Sequence, residues 1–307
     1  MSSPSPVARR RQMGYEVFGR AFDYILHTRP AEWPIVGAHF AVGTLLGWTR
    51  GPALHGAESL IPALLGMGLW VICLNGGTLA VNSAFDRDEG DIAYLRDPPP
   101  APRHLFAFGS MLMVFGLGAA AALPASYWRA YALATVMSLA YSVPPLRLKA
   151  VAGLDWFINM WGFGTLTIFA GWAATGAAVD YVGMMVLLAF CPLFAALYPL
   201  TQLYQLDEDR RKGDLTLATV LGARRSLAVS IAAAGIAFLI LALAASRPEV
   251  RPGAGIPITV AALGWLVLLV PWYRRVETLT PPAHQRRMYA ALVAWAVTDV
   301  AVLWAFR

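Results

Sequence analysis

Nine of the 18 acidic residues fall in two short stretches, Asp86, Asp88, Glu89, Asp91 and Asp97 in one, and Asp207, Glu208, Asp209 and Asp214 in the other. Carboxylates crowded in this way repel one another, and beside apolar sequence each is costly to desolvate, by about 2.5–3.5 kcal/mol at the middle of a bilayer. Chain folding alone asks for no such grouping. A divalent cation removes the repulsion, and a site built only of oxygen ligands suits Mg²⁺. A third stretch reads Tyr141-Ser-Val-Pro-Pro-Leu-Arg147-Leu-Lys149. Its two prolines cannot continue a helix and set an extended turn. Arg147 and Lys149 follow, and fixed basic groups beside metal-binding carboxylates form a receptor for a polyanion such as diphosphate. Taken alone, Arg147 and Lys149 are equally explained as markers of membrane orientation.

Chemistry of this kind needs elements to position it, and composition says what they are. Of 307 residues 58% are hydrophobic and 14% charged, and the mean hydropathy is +0.56. That is too little polar surface for a protein covered by water, and too many apolar side chains for a disordered one. The two cysteines, Cys73 and Cys191, lie in apolar runs and build no disulfide framework. The five histidines show no metal-binding spacing. Eight windows, 33–49, 59–85, 104–128, 130–146, 156–179, 181–206, 226–246 and 252–273, carry no charged side chain, and a ninth, 288–306, carries only Asp299. Each has about the length that crosses a bilayer as a helix. The pattern predicts an all-α transmembrane protein of nine helices, the fourth starting near Ser126.

The basic residues orient it. With nine spans, the N-terminal segment and the even-numbered connections hold 19 of the 24 lysines and arginines, and the opposite side holds 5. The positive-inside rule places the N-terminus and those connections in the cytoplasm and the C-terminus on the other side. The net charge of +6 is thereby spent on topology, and no nucleic-acid partner is expected. Residues 1–21 read as a cytoplasmic arm, loose over 1–14 where no apolar signal core is found. Residues 15–29 fit a short interfacial helix, and 22–307 form a single transmembrane domain.

Both acidic stretches then emerge on the cytoplasmic side, after spans 2 and 6. Asn75, Thr78, Asn82 and Asp86 recur at three, four and four residues, and Tyr198, Gln202, Gln205 and Asp209 at four, three and four. Each series marks one helical face. A polar stripe inside a membrane faces protein or a cavity rather than lipid. Interhelical hydrogen bonding would explain either stripe alone; two that end in carboxylates on the same side point to a shared site.

At these residues the chain resembles the UbiA superfamily of intramembrane prenyltransferases, which have nine transmembrane helices and two aspartate-rich motifs after helices 2 and 6. Asn82-Ser-Ala-Phe-Asp86-Arg-Asp88-Glu-Gly-Asp91 stands in place of the first motif, N-D-x-x-D-x-x-x-D. Gln205-Leu-Asp207-Glu-Asp209-Arg210, followed by Gly213-Asp-Leu-Thr216, stands in place of the second, and the Tyr141–Lys149 run is similar to the connection between helices 4 and 5. Ser83 replaces the usual aspartate after the asparagine, Asp91 lies one residue beyond the expected third aspartate, and Gln205 takes the place of the leading aspartate of the second motif. The resemblance spans the chain from about Phe22 onward.

What the resemblance implies is a bundle around a lipid-accessible central cavity, with the active site at its cytoplasmic side. There Mg²⁺ promotes transfer of a prenyl group from its diphosphate to a hydrophobic or aromatic acceptor, amid membrane lipids. Asp86 and Asp209 would anchor metal, Asp91 and Asp207 assist, and Asn82 supply an amide oxygen. Tyr141, Arg147, Lys149 and Arg210 would bind diphosphate, with Lys149 also catalytic. Asn75, Gln202, Gln205 and Tyr198 would face the cavity. Phe157, Trp161, Phe163, Tyr198 and Tyr204 lie on helices expected to line it, where an aromatic face can stabilise an allylic cation, although for any one of them plain helix packing is the better explanation. Asp88, Glu89 and Asp214 read as solvated acids. Two other readings are a relative that cyclises or hydrates the isoprenoid without an acceptor and, more remotely, a cation transporter. The scarcity of charge at mid-membrane speaks against transport.

Overall fold

A computed structural model describes residues 6–51, 57–86, 92, 95, 97–213 and 215–307, with the side chains of 6–10, 57–59, 208 and 212 left aside. Among the described residues it is all helix, apart from one isolated bridge between Ile92 and Leu95. In chain order the helices are α1 (Pro6–Phe18), α2 (Phe22–His27), α3 (Trp33–Trp48), α4 (Ala57–Gly68), α5 (Gly76–Asp86), α6 (Leu105–Ala119), α7 (Ala125–Ser142), α8 (Leu154–Asn159), α9 (Thr167–Ala174), α10 (Tyr181–Gln202), α11 (Leu206–Lys212), α12 (Leu217–Ala245), α13 (Gly255–Arg274) and α14 (Pro281–Phe306). Two wider π-helical segments, Leu69–Asn75 and Met160–Leu166, join α4 to α5 and α8 to α9.

Six helices among the described residues are long and apolar enough to cross a membrane: Leu60–Asp86, Leu105–Ala122, Tyr181–Gln202, Leu217–Ala245, Gly255–Arg274 and Pro281–Phe306. The other three expected windows fall on α3, α7 and the broken run from α8 through α9, none of which meets both criteria. α3 has only 16 residues, α7 carries Arg129, and the last run holds Asp155, Asn159, Thr165 and Thr167. Helix α7 begins at Ala125, beside the expected Ser126. Large apolar side chains point outward along the spans, among them Val136, Leu239, Leu263, Val267, Val293 and Trp304. Such an outward apolar face is stable only against lipid, so the chain is an integral membrane protein.

The amino-terminal arm departs from the loose segment expected over 1–14. Helix α1 covers Pro6–Phe18, Tyr15 Oη donates to Asp23 Oδ1 at 2.7 Å, and Arg11 Nη1 donates to the Asp97 carbonyl oxygen at 2.7 Å. Alanine, arginine, glutamine and methionine are good helix formers, and these contacts give the helix something to dock against.

The interior has two apolar clusters. One joins α3, α9, α10, α12, α13 and α14 around Trp172, Phe190, Trp265 and Trp272. The other joins α3, the π segment Leu69–Asn75, α6, α7 and α9 around Phe40, Trp70, Tyr127 and Tyr131. Helices α3 and α9 belong to both and meet backbone to backbone. A methyl group added at Gly43 would fall on the Ile168 carbonyl oxygen, and one at Gly171 on that of Phe40. Small residues are how membrane helices approach this closely.

Replacing Gly43 or Gly171 with alanine is expected to destabilise the bundle by about 2 kcal/mol through overpacking. The measurement is the thermal unfolding transition of detergent-solubilised protein. Gly235→Ala, where the added methyl meets open space, should leave that transition in place.

Candidate active site

At the seam between the two clusters lies a cavity of about 290 Å³, close to the lower end of the 300–1,000 Å³ usual for small-molecule sites. Its deeper wall is apolar and aromatic: Val36, Trp70, Leu74, Phe163, Phe194 and Trp295. Phe194 stacks on Phe163 at 5.5 Å and meets Trp295 edge-on at 5.6 Å. The faces of such rings attract cations. Both π segments border the cavity, and side chains take up carbonyls along the second. Thr167 Oγ1 donates to Gly162 at 3.0 Å, and Trp70 Nε1 donates to Thr167 Oγ1 at 3.3 Å. Wide turns of this kind collect at functional sites.

The other end of the cavity is polar, lined by Arg29, Glu32, Asn75, Thr78, Asn82, Ser138, Tyr141, Asn159, Tyr198 and Thr201. These residues come from the turn before α3, the run from the first π segment into α5, and the ends of α7, α8 and α10, so five chain segments converge there. The α5 stripe therefore exists in space: Asn75, Thr78 and Asn82 all reach the cavity, and Thr78 Oγ1 donates to Ser138 Oγ at 2.9 Å. Tyr141 and Tyr198 also reach it, and their hydroxyls share a hydrogen bond at 3.0 Å.

Asp86 closes the stripe at the mouth. Its Oδ1 is ion-paired with Lys149, and Arg147 Nη2 lies 3.9 Å from the same oxygen. Asn82 Oδ1 accepts from Lys149 Nζ at 3.2 Å and from Ser142 Oγ at 3.3 Å. The connection after α7 reaches this position because Pro144 and Pro145 end the helix and Arg147 adopts a left-handed backbone at φ 35°. Asn82, Asp86, Arg147 and Lys149, chosen from three separate sequence patterns, thus form one cluster. Asp91, and with it Asp88 and Glu89, lies outside the described residues.

The second acidic stretch sits on α11. Asp207 is exposed and 3.7 Å from Arg210 Nη1, while Asp209 is partly buried. Gln202 and Gln205, expected in the cavity, are not in its lining. Helix α10 ends at Gln202, so Gln205 no longer follows the helical stripe. The Gln202 amide is occupied elsewhere: Nε2 donates to Asp155 Oδ2 at 2.9 Å, and Oε1 accepts from the Ala218 N–H at 3.2 Å. Asp155 is fully buried, and accepts from the N–H groups of Gly153 at 2.9 Å and Leu217 at 3.1 Å. Together Asp155 and Gln202 cap the first turn of α12, satisfying donors that a helix start leaves open. Of the aromatic candidates Phe163 and Tyr198 line the cavity; Phe157, Trp161 and Tyr204 do not.

The sequence reading passed over the groups that meet at the cavity's inner end. His39 lines it; Nε2 donates to the Gly164 carbonyl at 3.0 Å, and Nδ1 lies 3.1 Å from Asp299 Oδ1. Asp299 stood out in sequence as the acid inside a span, but nothing in the spacing named a partner 260 residues away. Arg29 and Glu32 also line the cavity, and no motif or spacing in the sequence marks them.

The donor set fits magnesium in kind, since Asp86, Asn82, Asp207 and Asp209 offer oxygen alone. Among the described residues no three His, Cys, Asp or Glu side chains are grouped closely enough to hold a metal, and it is Lys149 and Arg147 that balance Asp86.

An all-helical membrane bundle with an aromatic cavity opening at a cluster of carboxylate, amide and basic groups is an architecture for handling a charged headgroup on an apolar chain. The chain belongs to the UbiA prenyltransferase family, whose model matches residues 40–295; it is an enzyme of the prenyl-transferring class. It is 28% identical over 263 residues to lycopene elongase/hydratase of Halobacterium salinarum, covering 82% of this chain and 91% of that relative. It is also 28% identical over 248 residues to digeranylgeranylglyceryl phosphate synthase of Natronomonas pharaonis, covering 76% and 83%. The structure of a UbiA homologue from Archaeoglobus fulgidus bound to GPP and Mg²⁺ superimposes with a TM-score of 0.65 at 19% identity, over 91% of this chain and 99% of that one.

His39→Leu leaves the Asp299 carboxylate buried without its partner, and is expected to cost about 3–5 kcal/mol. His39→Leu combined with Asp299→Leu should recover most of that loss. Thermal unfolding of the three proteins in one detergent measures the coupling.

Proposed function

We propose that this chain transfers a prenyl group from a prenyl diphosphate to a hydrophobic acceptor inside the membrane. The observation that carries this reading is the cluster of Asn82, Asp86, Arg147 and Lys149 at the mouth of a cavity whose deeper walls are aromatic. The diphosphate sits at the mouth, against Lys149, Arg147 and Arg210, with the Tyr141 hydroxyl beside it. The prenyl chain lies along Trp70, Phe163, Phe194 and Trp295. Asp86 and Asp209 are the principal carboxylates for Mg²⁺, with Asn82, Asp207 and Asp91 as further oxygen donors. Magnesium bound there supplies positive charge that eases departure of the diphosphate.

The residues then divide the work. Lys149 and Arg147 neutralise charge that develops on the leaving oxygens. The apolar walls keep water from the allylic cation, and aromatic faces stabilise it. In the membrane the chain makes nine crossings, α3, α7 and the α8-to-α9 run completing the six long spans. Residues 22–307 form one domain, and the site faces the cytoplasm by the distribution of basic residues. A lipid or carotenoid acceptor is in keeping with the two relatives, named for lycopene and for a glyceryl phosphate lipid.

Purified Asp86→Asn and Asp209→Asn proteins, given geranyl diphosphate and Mg²⁺, are expected to release diphosphate at least about 10²-fold more slowly than wild type. Wild-type rates in both variants would overturn the assignment. Product analysis in the same reactions separates transfer from the alternative chemistry, because a hydrocarbon or alcohol formed without any acceptor marks a cyclase or hydratase.

A further inference from the structure

Joining an allylic cation to an acceptor leaves one proton too many, and an apolar chamber has little to receive it. The acceptor's π or lone-pair electrons form the new bond to C1 of the prenyl group, the diphosphate having left with the C–O electron pair. The acceptor then gives up H⁺, and the electrons of its broken bond to hydrogen restore its neutral structure. Something at the cavity must take that proton.

The candidates can be followed one at a time. Both oxygens of Asp155 are engaged, by the Gly153, Leu217 and Gln202 donors, and the side chain is fully buried away from the cavity. Asp86 is ion-paired with Lys149. Both ring nitrogens of His39 are committed, to Asp299 and to Gly164. The hydroxyls of Tyr141 and Tyr198 bond to each other, and a neutral phenol is a weak base. Among the described cavity-lining residues the carboxylate that remains is Glu32.

From this placement we infer that Glu32 is the catalytic base that accepts the acceptor's proton after prenyl transfer, a role distinct from diphosphate binding and resting on the prenyl-transfer reading. Glu32 stands at the entry to α3, where its turn brings it to the cavity three residues after Arg29. Arg29 is 8% exposed and lines the same cavity, with a left-handed backbone at φ 50°. Its positive charge favours ionised Glu32 before transfer, while burial pushes the Glu32 carboxyl above the usual carboxylate range. Burial dominates, so the carboxylate is a better proton acceptor than an exposed glutamate. The buried Arg29 Nε has no hydrogen-bond partner.

The experiment uses membranes of the native host lacking its own copy and complemented with wild type, Glu32→Gln or Glu32→Asp, so that the natural acceptor is present. Labelled dimethylallyl, geranyl and geranylgeranyl diphosphates are supplied with Mg²⁺. Diphosphate release and labelled coupled lipid are followed separately. Glu32→Gln is expected to lower coupled product by about 10²-fold or more while diphosphate release continues and labelled prenyl alcohol accumulates from water capture. Glu32→Asp should restore part of the coupling. Undiminished coupling in Glu32→Gln would overturn the assignment, as would parallel loss of release and coupling with no recovery in Glu32→Asp, which marks a structural role. If wild type itself releases no diphosphate from any of the three substrates, it is the prenyl-transfer reading that fails, and the role of Glu32 falls with it.

Discussion

The site turns on how a membrane protein tolerates carboxylates at the edge of an apolar cavity. Asp86 ends a helix whose other faces are buried against α6 and α7, so its charge must be balanced locally. Lys149 and Arg147 do so from the connection after α7, and Asn82 shares Lys149 with it. That arrangement joins two distant chain segments and fixes the mouth of the cavity. It also keeps positive charge where an anionic headgroup would arrive. On the proposed reading, a metal and a diphosphate would enter by exchanging partners already in place, which costs less than assembling the charges from separate positions in water.

The same logic runs through the interior. Several polar groups along the cavity are tied to another element: Thr78 to Ser138, Tyr141 to Tyr198, Trp70 to Thr167, and His39 to both Gly164 and Asp299. In lipid there is no water to satisfy such groups, so each bond also fixes one helix against the next. The His39 pair ties α3, α14 and the π segment before α9 at the inner end of the cavity, as the Asp86 cluster ties α5 to the α7 connection at the mouth. Gly43 and Gly171 hold α3 and α9 together behind it.

Much of the fold was legible in order of residues. Windows free of charge announced helices because a spanning segment must bury its backbone polar groups within itself, and each expected window coincides with a helix or a helical run. The α5 stripe was legible for the same geometric reason: Asn75, Thr78 and Asn82 stay on one face even across the π segment. The α10 stripe was legible only as far as Tyr198. Gln202 keeps the spacing but not the role, since the first turn of α12 needs acceptors for its open N–H groups and Asp155 with Gln202 supplies them. Periodicity reports which face a side chain leaves, and is silent about what waits there.

Local sequence by itself determined the apolar spans, the two acidic stretches and the proline turn that carries Arg147 and Lys149, because helix, charge density and backbone restriction act within a few residues. Only tertiary structure decided that Lys149 meets Asp86, that His39 meets Asp299, and that Arg29 and Glu32 open onto the cavity. These are contacts between segments tens to hundreds of residues apart, or between a turn and a chamber formed by other helices. Their energy comes from shared burial, and burial is a property of the packed bundle rather than of any one stretch of chain.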